Sequence, residues 1–86
     1  MMPFADVLGY TAGAVTTFTF LPQVIKTWKD KSAKDISLLM FIIAAANEIM
    51  WVAYGVLKDN MVIILTNAIL LVMSFIMIYF KYRYKN

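Results

Sequence analysis

Three apolar stretches, each about 20 residues long, make up most of this chain and limit what it can fold into. They run from Val7 to Ile25, from Ile36 to Leu57 and from Met61 to Phe80, with short polar segments between them. A helix of about 20 apolar residues crosses the hydrocarbon core of a bilayer, which is about 30 Å thick. The pattern therefore predicts an all-α membrane protein, a single domain with three transmembrane helices.

The composition also favours a membrane protein over a soluble one. Hydrophobic residues make up 63% of the chain, whereas soluble domains average about 45–50%. The first stretch is not interpreted as a cleaved signal peptide. The residues before it include no Lys or Arg, and its apolar run is longer than the core of a typical signal peptide.

The absence of histidine and cysteine from the sequence excludes several kinds of chemistry. Without these residues there are no thiolate nucleophiles, imidazole bases or Cys/His metal sites. The three glycines form no phosphate-binding loop. Nucleic acid is not expected as a partner, because basic residues interleaved with polar stacking groups are lacking. We expect a protein that is not an enzyme and has no cofactor or metal.

The basic residues are divided unevenly between the two sides of the predicted membrane. Those on one side are Lys26, Lys29, Lys31, Lys34, Lys81, Arg83 and Lys85. The other side has Lys58 alone. Since Lys and Arg are enriched in cytoplasmic loops, the sequence predicts that the N-terminus and the Lys58 turn lie outside. The C-terminus then lies in the cytoplasm.

Each predicted helix has one face of polar or small residues, given a rotation of about 100° per residue. On the second helix these are Met40, Asn47, Trp51, Tyr54 and Lys58. On the first they are Gly9, Gly13, Thr16, Phe20 and Gln23, and on the third Asn60, Asn67 and Ser74. Two interpretations are open. Small and hydroxyl residues allow close helix packing, or the three faces converge on a path for a polar solute.

Asn47, Asn67 and Trp51 favour the second interpretation, with sugars among the candidate solutes. Each asparagine offers two donors and an acceptor. Both lie well inside their spans, where an unsatisfied amide is costly. Trp51 lies away from the interfacial positions that transmembrane aromatic residues prefer. Its flat ring can stack on the C–H face of a sugar while the amides bind the hydroxyl groups.

A proline lies near the cytoplasmic end of the first span, at Pro22, with Gln23 beside it. Proline removes one backbone hydrogen bond, and its ring clashes with the carbonyl of Phe18. Such kinks are tolerated in membranes when neighbouring groups satisfy the freed carbonyl. Pro22 is either a passive kink or a hinge for alternating access.

Several short motifs follow one another in order along the chain. They are Phe20-Leu21-Pro22-Gln23-Val24, Asp35-Ile36-Ser37, Trp51-Val52-Ala53-Tyr54-Gly55 and Leu65-Thr66-Asn67. With this series, the chain resembles the bacterial SemiSWEET sugar transporters of the SWEET and PQ-loop group over nearly its whole length. The resemblance implies a parallel homodimer in the bacterial inner membrane, with six helices around a central path. It also implies a uniporter that carries mono- or disaccharides in both directions.

The resemblance also assigns roles to individual residues. It places the sugar-binding pair on Trp51 and Asn67, and we add Asn47 from its position on the same helix face as Trp51. It places the hinge on Pro22 and Gln23. The implied outer gate residues are Tyr54, Lys58 and Asp59, and Met40 is a candidate for the inner gate. Asn60 occupies the position at which the family carries an acid, so the partner of Lys58 in an outer salt bridge is open.

An acidic residue, Glu48, lies near the middle of the second span, where small or apolar residues are expected. An ionised carboxylate buried there costs several kcal/mol unless it is paired. Three explanations are open: a protonated carboxyl hydrogen-bonded to a neighbouring helix, contact with the substrate, or proton binding in a coupled cycle. The last predicts a proton-coupled transporter of another small polar solute. A further alternative is a membrane subunit that scaffolds a partner and transports nothing.

Overall fold

The computed structural model describes residues 3–84, and these form three α-helices. Helix α1 is Phe4–Asp30, α2 is Leu38–Leu57 and α3 is Met61–Arg83. By length and composition, α2 and α3 can each cross a membrane, with mean hydropathies of 1.7 and 2.6. Helix α1 is also long enough but is not among the helices that satisfy this criterion. The predicted all-α fold with three helices is confirmed.

The helices end at different residues from the apolar stretches, for local reasons. Helix α2 begins at Leu38 rather than Ile36, because Ser37 is its N-cap and the Ser37 Oγ accepts a hydrogen bond from the Met40 N–H at 3.2 Å. At the other side of the loop, α1 continues through charged residues to Asp30. Backbone hydrogen bonding does not stop where a sequence ceases to be apolar, so α1 and α3 extend beyond their apolar stretches.

Helix α3 lies between the other two helices. Among the described residues, α3 contacts both α1 and α2, whereas α1 and α2 do not contact each other. The molecule measures 47 × 22 × 13 Å along its principal axes, and its smallest dimension is about the diameter of one helix. A layer one helix thick leaves side chains on both of its broad faces exposed.

Glycines bring the helices close together at both interfaces of α3. Gly9 and Gly13 of α1 lie against the side chains of Val62 and Thr66, and a Cβ on Gly13 would overlap Thr66 Cγ2. Gly55 of α2 lies against the first turn of α3 in the same way. Small residues permit this approach between transmembrane helices. Gly9 and Gly13 therefore lie at a packing interface, as the first interpretation of the polar faces expects.

The two connections hold the helix ends in place. Between α1 and α2, the buried Ala33 accepts a hydrogen bond on its carbonyl from Lys81 Nζ at 2.8 Å, which joins this loop to the end of α3. Between α2 and α3, Asp59 adopts a left-handed conformation with φ 52°. Asn60 then caps α3, since its Oδ1 accepts from the Ile63 N–H at 3.3 Å.

Candidate substrate path

One face of α2 carries two open depressions, which together we call the α2 groove. Two adjoining depressions of about 510 and 520 Å³ share Asn47 and Met50. The residues that line the groove are Met40, Ile43, Ala44, Ala46, Asn47, Met50, Trp51 and Tyr54. Helical periodicity predicts a common face for Met40, Asn47, Trp51, Tyr54 and Lys58. The first four line the α2 groove, whereas Lys58, the C-cap of the helix, does not.

Trp51 is the largest side chain of the α2 groove and is 45% exposed. Its ring meets that of Tyr54 edge to face, with the ring centroids 5.6 Å apart and the planes at 86°. This geometry is a favourable one for two aromatic rings. Tyr54 therefore restrains the indole while much of the indole stays open to the groove.

Asn67 lies on α3 at nearly the same level as Trp51. Trp51 is six residues before the end of α2 and Asn67 is six residues after the start of α3, on either side of a tight turn. At 1.5 Å per residue, both are about 9 Å from that turn along their helices. The half-buried Asn67 donates from Nδ2 to the Ile63 carbonyl at 3.0 Å. Within one chain, Asn67 does not line the depression beside Trp51.

The three polar residues that the sequence aligned on α3 face different surroundings. Asn60 caps the helix, Asn67 bonds to its own backbone, and Ser74 is buried and bonded to α2. A seven-residue repeat drifts by about 20° per heptad on a straight helix. The central position of α3 also gives its two sides different neighbours, so the alignment does not produce one polar face.

Glu48 lies in the interface between α2 and α3 rather than in the α2 groove. Its side chain is buried, and Oε1 accepts a hydrogen bond from Ser74 Oγ at 2.8 Å. Of the three explanations for Glu48, this geometry supports a hydrogen bond to a neighbouring helix. Contact with a substrate in the α2 groove is not seen, because Glu48 is not among the groove-lining residues.

The predicted hinge residues lie in the last third of α1. The helix is continuous through Pro22 as far as Asp30, and both Pro22 and Gln23 are exposed. Pro22 has no N–H, so it cannot donate to the Phe18 carbonyl. Gln23 lines a polar pocket of about 430 Å³ at the loop end of the molecule. Its carbonyl also accepts a hydrogen bond from Thr27 Oγ1 at 2.8 Å.

The predicted gate residues lie toward opposite ends of α2. Met40 is in its first turn, whereas Tyr54 is in its last turn and Lys58 is its C-cap. Tyr54 lies fourteen positions after Met40, which is about 21 Å along the helix axis. Asp59 is exposed in the turn to α3. The side chains of Met40, Tyr54, Lys58 and Asp59 are all exposed within one chain.

Two large apolar residues of the α2 groove, Ile43 and Met50, are not on the face predicted from the sequence. Both are more than half exposed, at 59% and 65%. The signal was available, since each lies three residues after a residue already assigned to this face, Met40 and Asn47. A pattern of polar side chains does not identify them, because the walls of the α2 groove are also apolar.

Comparisons with known proteins relate the whole fold to one family. The PQ loop repeat family model matches residues 4–64. A sugar transporter SemiSWEET from Leptospira biflexa is 37% identical over 88% of this chain and 89% of its own length. One from Bradyrhizobium diazoefficiens is 35% identical over 98% of this chain and 99% of its own. The crystal structure of a bacterial homologue of SWEET transporters superposes with a TM-score of 0.90 at 43% identity, and the match covers 95% of this chain and 99% of that one.

Proposed function

This chain belongs to the SemiSWEET family of PQ-loop membrane proteins, and from this premise we propose that it transports sugars. The proposed activity is facilitated diffusion of mono- or disaccharides in both directions by alternating access. The relatives from Leptospira and Bradyrhizobium are named as sugar transporters, which points away from an enzyme. We place the chain in the bacterial inner membrane with three crossings, the N-terminus outside and the C-terminus in the cytoplasm.

The observation that carries this proposal is the half-exposed Trp51 in the body of an apolar helix. Its indole is open to the α2 groove, where the exposed Asn47 offers amide donors and an acceptor. A sugar has C–H faces that stack on an aromatic ring and hydroxyl groups that bond to amides. A flat apolar surface beside an amide is complementary to both.

A second copy of the chain supports a closed path for the sugar. One chain is a layer one helix thick, and its α2 groove is open along its length. In a bilayer, an open groove with amide groups faces lipid, and unsatisfied polar groups there are costly. We infer a parallel homodimer in which two α2 grooves face each other. Each chain then contributes Trp51 and Asn67, which lie at nearly the same level.

Alternating access follows from the positions of the hinge and the gates. Pro22 removes one backbone hydrogen bond of α1, so bending there costs less than elsewhere in the helix. Tyr54, Lys58 and Asp59 lie at the outer end of the path and Met40 lies at the inner end. We propose that the outer contacts between the two copies close while the contacts around Met40 open.

The test is counterflow of radiolabelled glucose and sucrose into proteoliposomes that contain the purified protein. We expect uptake above that of empty vesicles for at least one of the sugars, with no uptake of a labelled amino acid of similar size. Weak sugar binding is sufficient for transport. A millimolar dissociation constant corresponds to a binding free energy of only about −4 kcal/mol. Sugar uptake no faster than in empty vesicles contradicts the proposal.

The alternative is a proton-coupled transporter of another small polar solute in which Glu48 binds and releases the proton. Its support is the buried carboxyl in the middle of α2. The uniporter and the coupled transporter differ under an imposed pH gradient. A uniporter gives counterflow that does not respond to the gradient, and Glu48→Gln transports at a similar rate. A response that Glu48→Gln abolishes establishes the coupled mechanism instead.

A further inference from the structure

A pocket of about 450 Å³ lies between the C-terminal ends of α1 and α3 and shares no lining residue with the α2 groove. Its lining residues are Trp28, Lys29, Lys31, Arg83 and Tyr84. All five of these residues are basic or aromatic. The proposed function uses none of them, and we call this the basic pocket.

The basic pocket is electrostatically suited to an anion. Three cationic side chains line it, whereas the C-terminal end of each helix contributes only about half a negative charge. The nearest acid along the chain, Asp30, is paired through Oδ2 with Lys26 Nζ at 3.1 Å and does not line the pocket.

The aromatic residues of the basic pocket indicate that its anion comes from a lipid. Trp28 is 58% exposed, and Tyr82, next to Arg83, is 62% exposed. Tyr84 is held in place, since its ring centroid lies 5.4 Å from that of Phe80 and its N–H donates to the Phe80 carbonyl at 2.7 Å. Trp and Tyr side chains prefer the headgroup level of a bilayer. The pocket lies just beyond the apolar part of α3, which ends at Phe80.

We propose that the basic pocket binds the phosphate of an anionic phospholipid of the cytoplasmic leaflet. The Arg83 guanidinium can bind two phosphate oxygens side by side, and Lys29 and Lys31 supply further charge. The exposed ring of Trp28 lies against the glycerol and the first part of the acyl chains. Basic pockets between transmembrane helices on this side of a membrane bind lipid headgroups in this way. The assignment to the cytoplasmic leaflet rests on the proposed orientation, but the lipid site does not depend on what the α2 groove transports.

The test is native mass spectrometry of the detergent-solubilised full chain with added lipid. The probes are phosphatidylglycerol, phosphatidylcholine with the same acyl chains, and inorganic phosphate. We expect phosphatidylglycerol to bind more tightly than phosphatidylcholine, and inorganic phosphate to compete only weakly. Equal binding of the two lipids overturns the proposal. Complete displacement by inorganic phosphate at millimolar concentration also overturns it and assigns the pocket to free phosphate.

Substitutions locate the binding. Each basic side chain near a membrane surface changes affinity about fivefold, so Lys29→Gln/Arg83→Gln weakens phosphatidylglycerol binding about 25-fold. The single variant Lys29→Gln weakens it about fivefold. Its matched control Lys34→Gln removes an exposed lysine outside this pocket and leaves the affinity unchanged. Equal effects of Lys29→Gln and Lys34→Gln contradict a defined site.

A measurement on the unaltered chain keeps the proposal testable if the double variant does not fold. Salt screens exposed charges, and the Debye length falls from about 10 Å at 0.1 M to about 3 Å at 1 M. We expect a tenfold higher concentration of ammonium acetate to reduce phosphatidylglycerol binding severalfold. Phosphatidylcholine binding should stay nearly constant. Binding of phosphatidylglycerol that does not change with salt overturns the proposal.

Discussion

At the scale of single residues, the hydrogen bond between Ser74 and Glu48 is the clearest polar contact between two helices. Ser74→Ala leaves the Glu48 carboxyl buried without this donor. We expect the free energy of unfolding to fall by about 1–2 kcal/mol, because a buried polar group that loses its partner keeps its desolvation cost. Denaturation of the detergent-solubilised protein measures the change.

The matched control for Ser74→Ala is Thr19→Val. The Thr19 hydroxyl is exposed and donates to the Val15 carbonyl of its own helix, so we expect a change within about 0.5 kcal/mol. The double variant Glu48→Leu/Ser74→Ala removes both polar partners and should recover most of the lost stability. A double variant no more stable than Ser74→Ala would show that the hydrogen bond is not the cause.

The sequence predicts which residues of α2 share one surface, whereas it does not predict which surface each polar residue of α3 faces. One face of α2 is uncovered in the isolated chain, so helical periodicity was enough to group Met40, Asn47, Trp51 and Tyr54. Helix α3 has a neighbour on each side. Which of them Asn67 or Ser74 faces depends on the packing order of the helices, and that order is not encoded in the periodicity of one helix. The direction of Glu48 toward Ser74 was missed for the same reason.

At the scale of the helices, the α1–α3 interface depends on the absence of a side chain at Gly13. A Cβ there would overlap Thr66 Cγ2, and overpacking costs about 1–3 kcal/mol. Gly13→Ala should therefore lower the free energy of unfolding by about that amount. Thr66→Ala removes the overlapping methyl group, so Gly13→Ala/Thr66→Ala should be more stable than Gly13→Ala. If the stability changes of the two single variants simply add up in the double variant, the clash is contradicted, because substitutions of residues in contact have non-additive effects on stability.

Pro22 is the bending point of α1 in the proposed mechanism. Pro22→Ala supplies an N–H that can donate to the Phe18 carbonyl and so stiffens the helix. We expect counterflow to slow by about tenfold, equivalent to about 1.4 kcal/mol of added barrier, while equilibrium sugar binding is preserved. Ala14→Ser, a change in the same helix with the backbone N–H retained, is the control. A normal rate for Pro22→Ala would leave Pro22 as a passive kink.

The helices themselves could be predicted from the sequence more fully than their ends. Long apolar stretches identify helices because backbone groups in lipid must bond internally. The boundaries depend on caps such as Ser37 and Asn60, whose single hydrogen bonds are too local to appear in a hydropathy pattern. The central position of α3 was also not predicted, since it arises from glycine contacts between residues distant in sequence.

At the scale of the whole molecule, the uneven distribution of basic residues predicts its orientation. The chain contains no cysteine, so a single introduced cysteine is the only thiol that a maleimide can label in the purified chain. In intact spheroplasts, we expect a membrane-impermeant maleimide to label Lys58→Cys. Lys34→Cys should react only after the membrane is permeabilised. Labelling of Lys34→Cys in sealed spheroplasts would contradict the proposed orientation.

The flat shape of one chain and its open α2 groove lead to the proposal that sugar passes between two copies along Trp51. The most direct test compares counterflow by Trp51→Ala with that by Phe75→Ala, which truncates an aromatic residue of α3 that is also about half exposed, at 51%. Loss of a stacking surface worth about 1.4 kcal/mol predicts a tenfold or greater fall in sugar uptake at low sugar concentration for Trp51→Ala. Phe75→Ala should retain the rate of the unaltered chain. Normal sugar uptake by Trp51→Ala would contradict the claim.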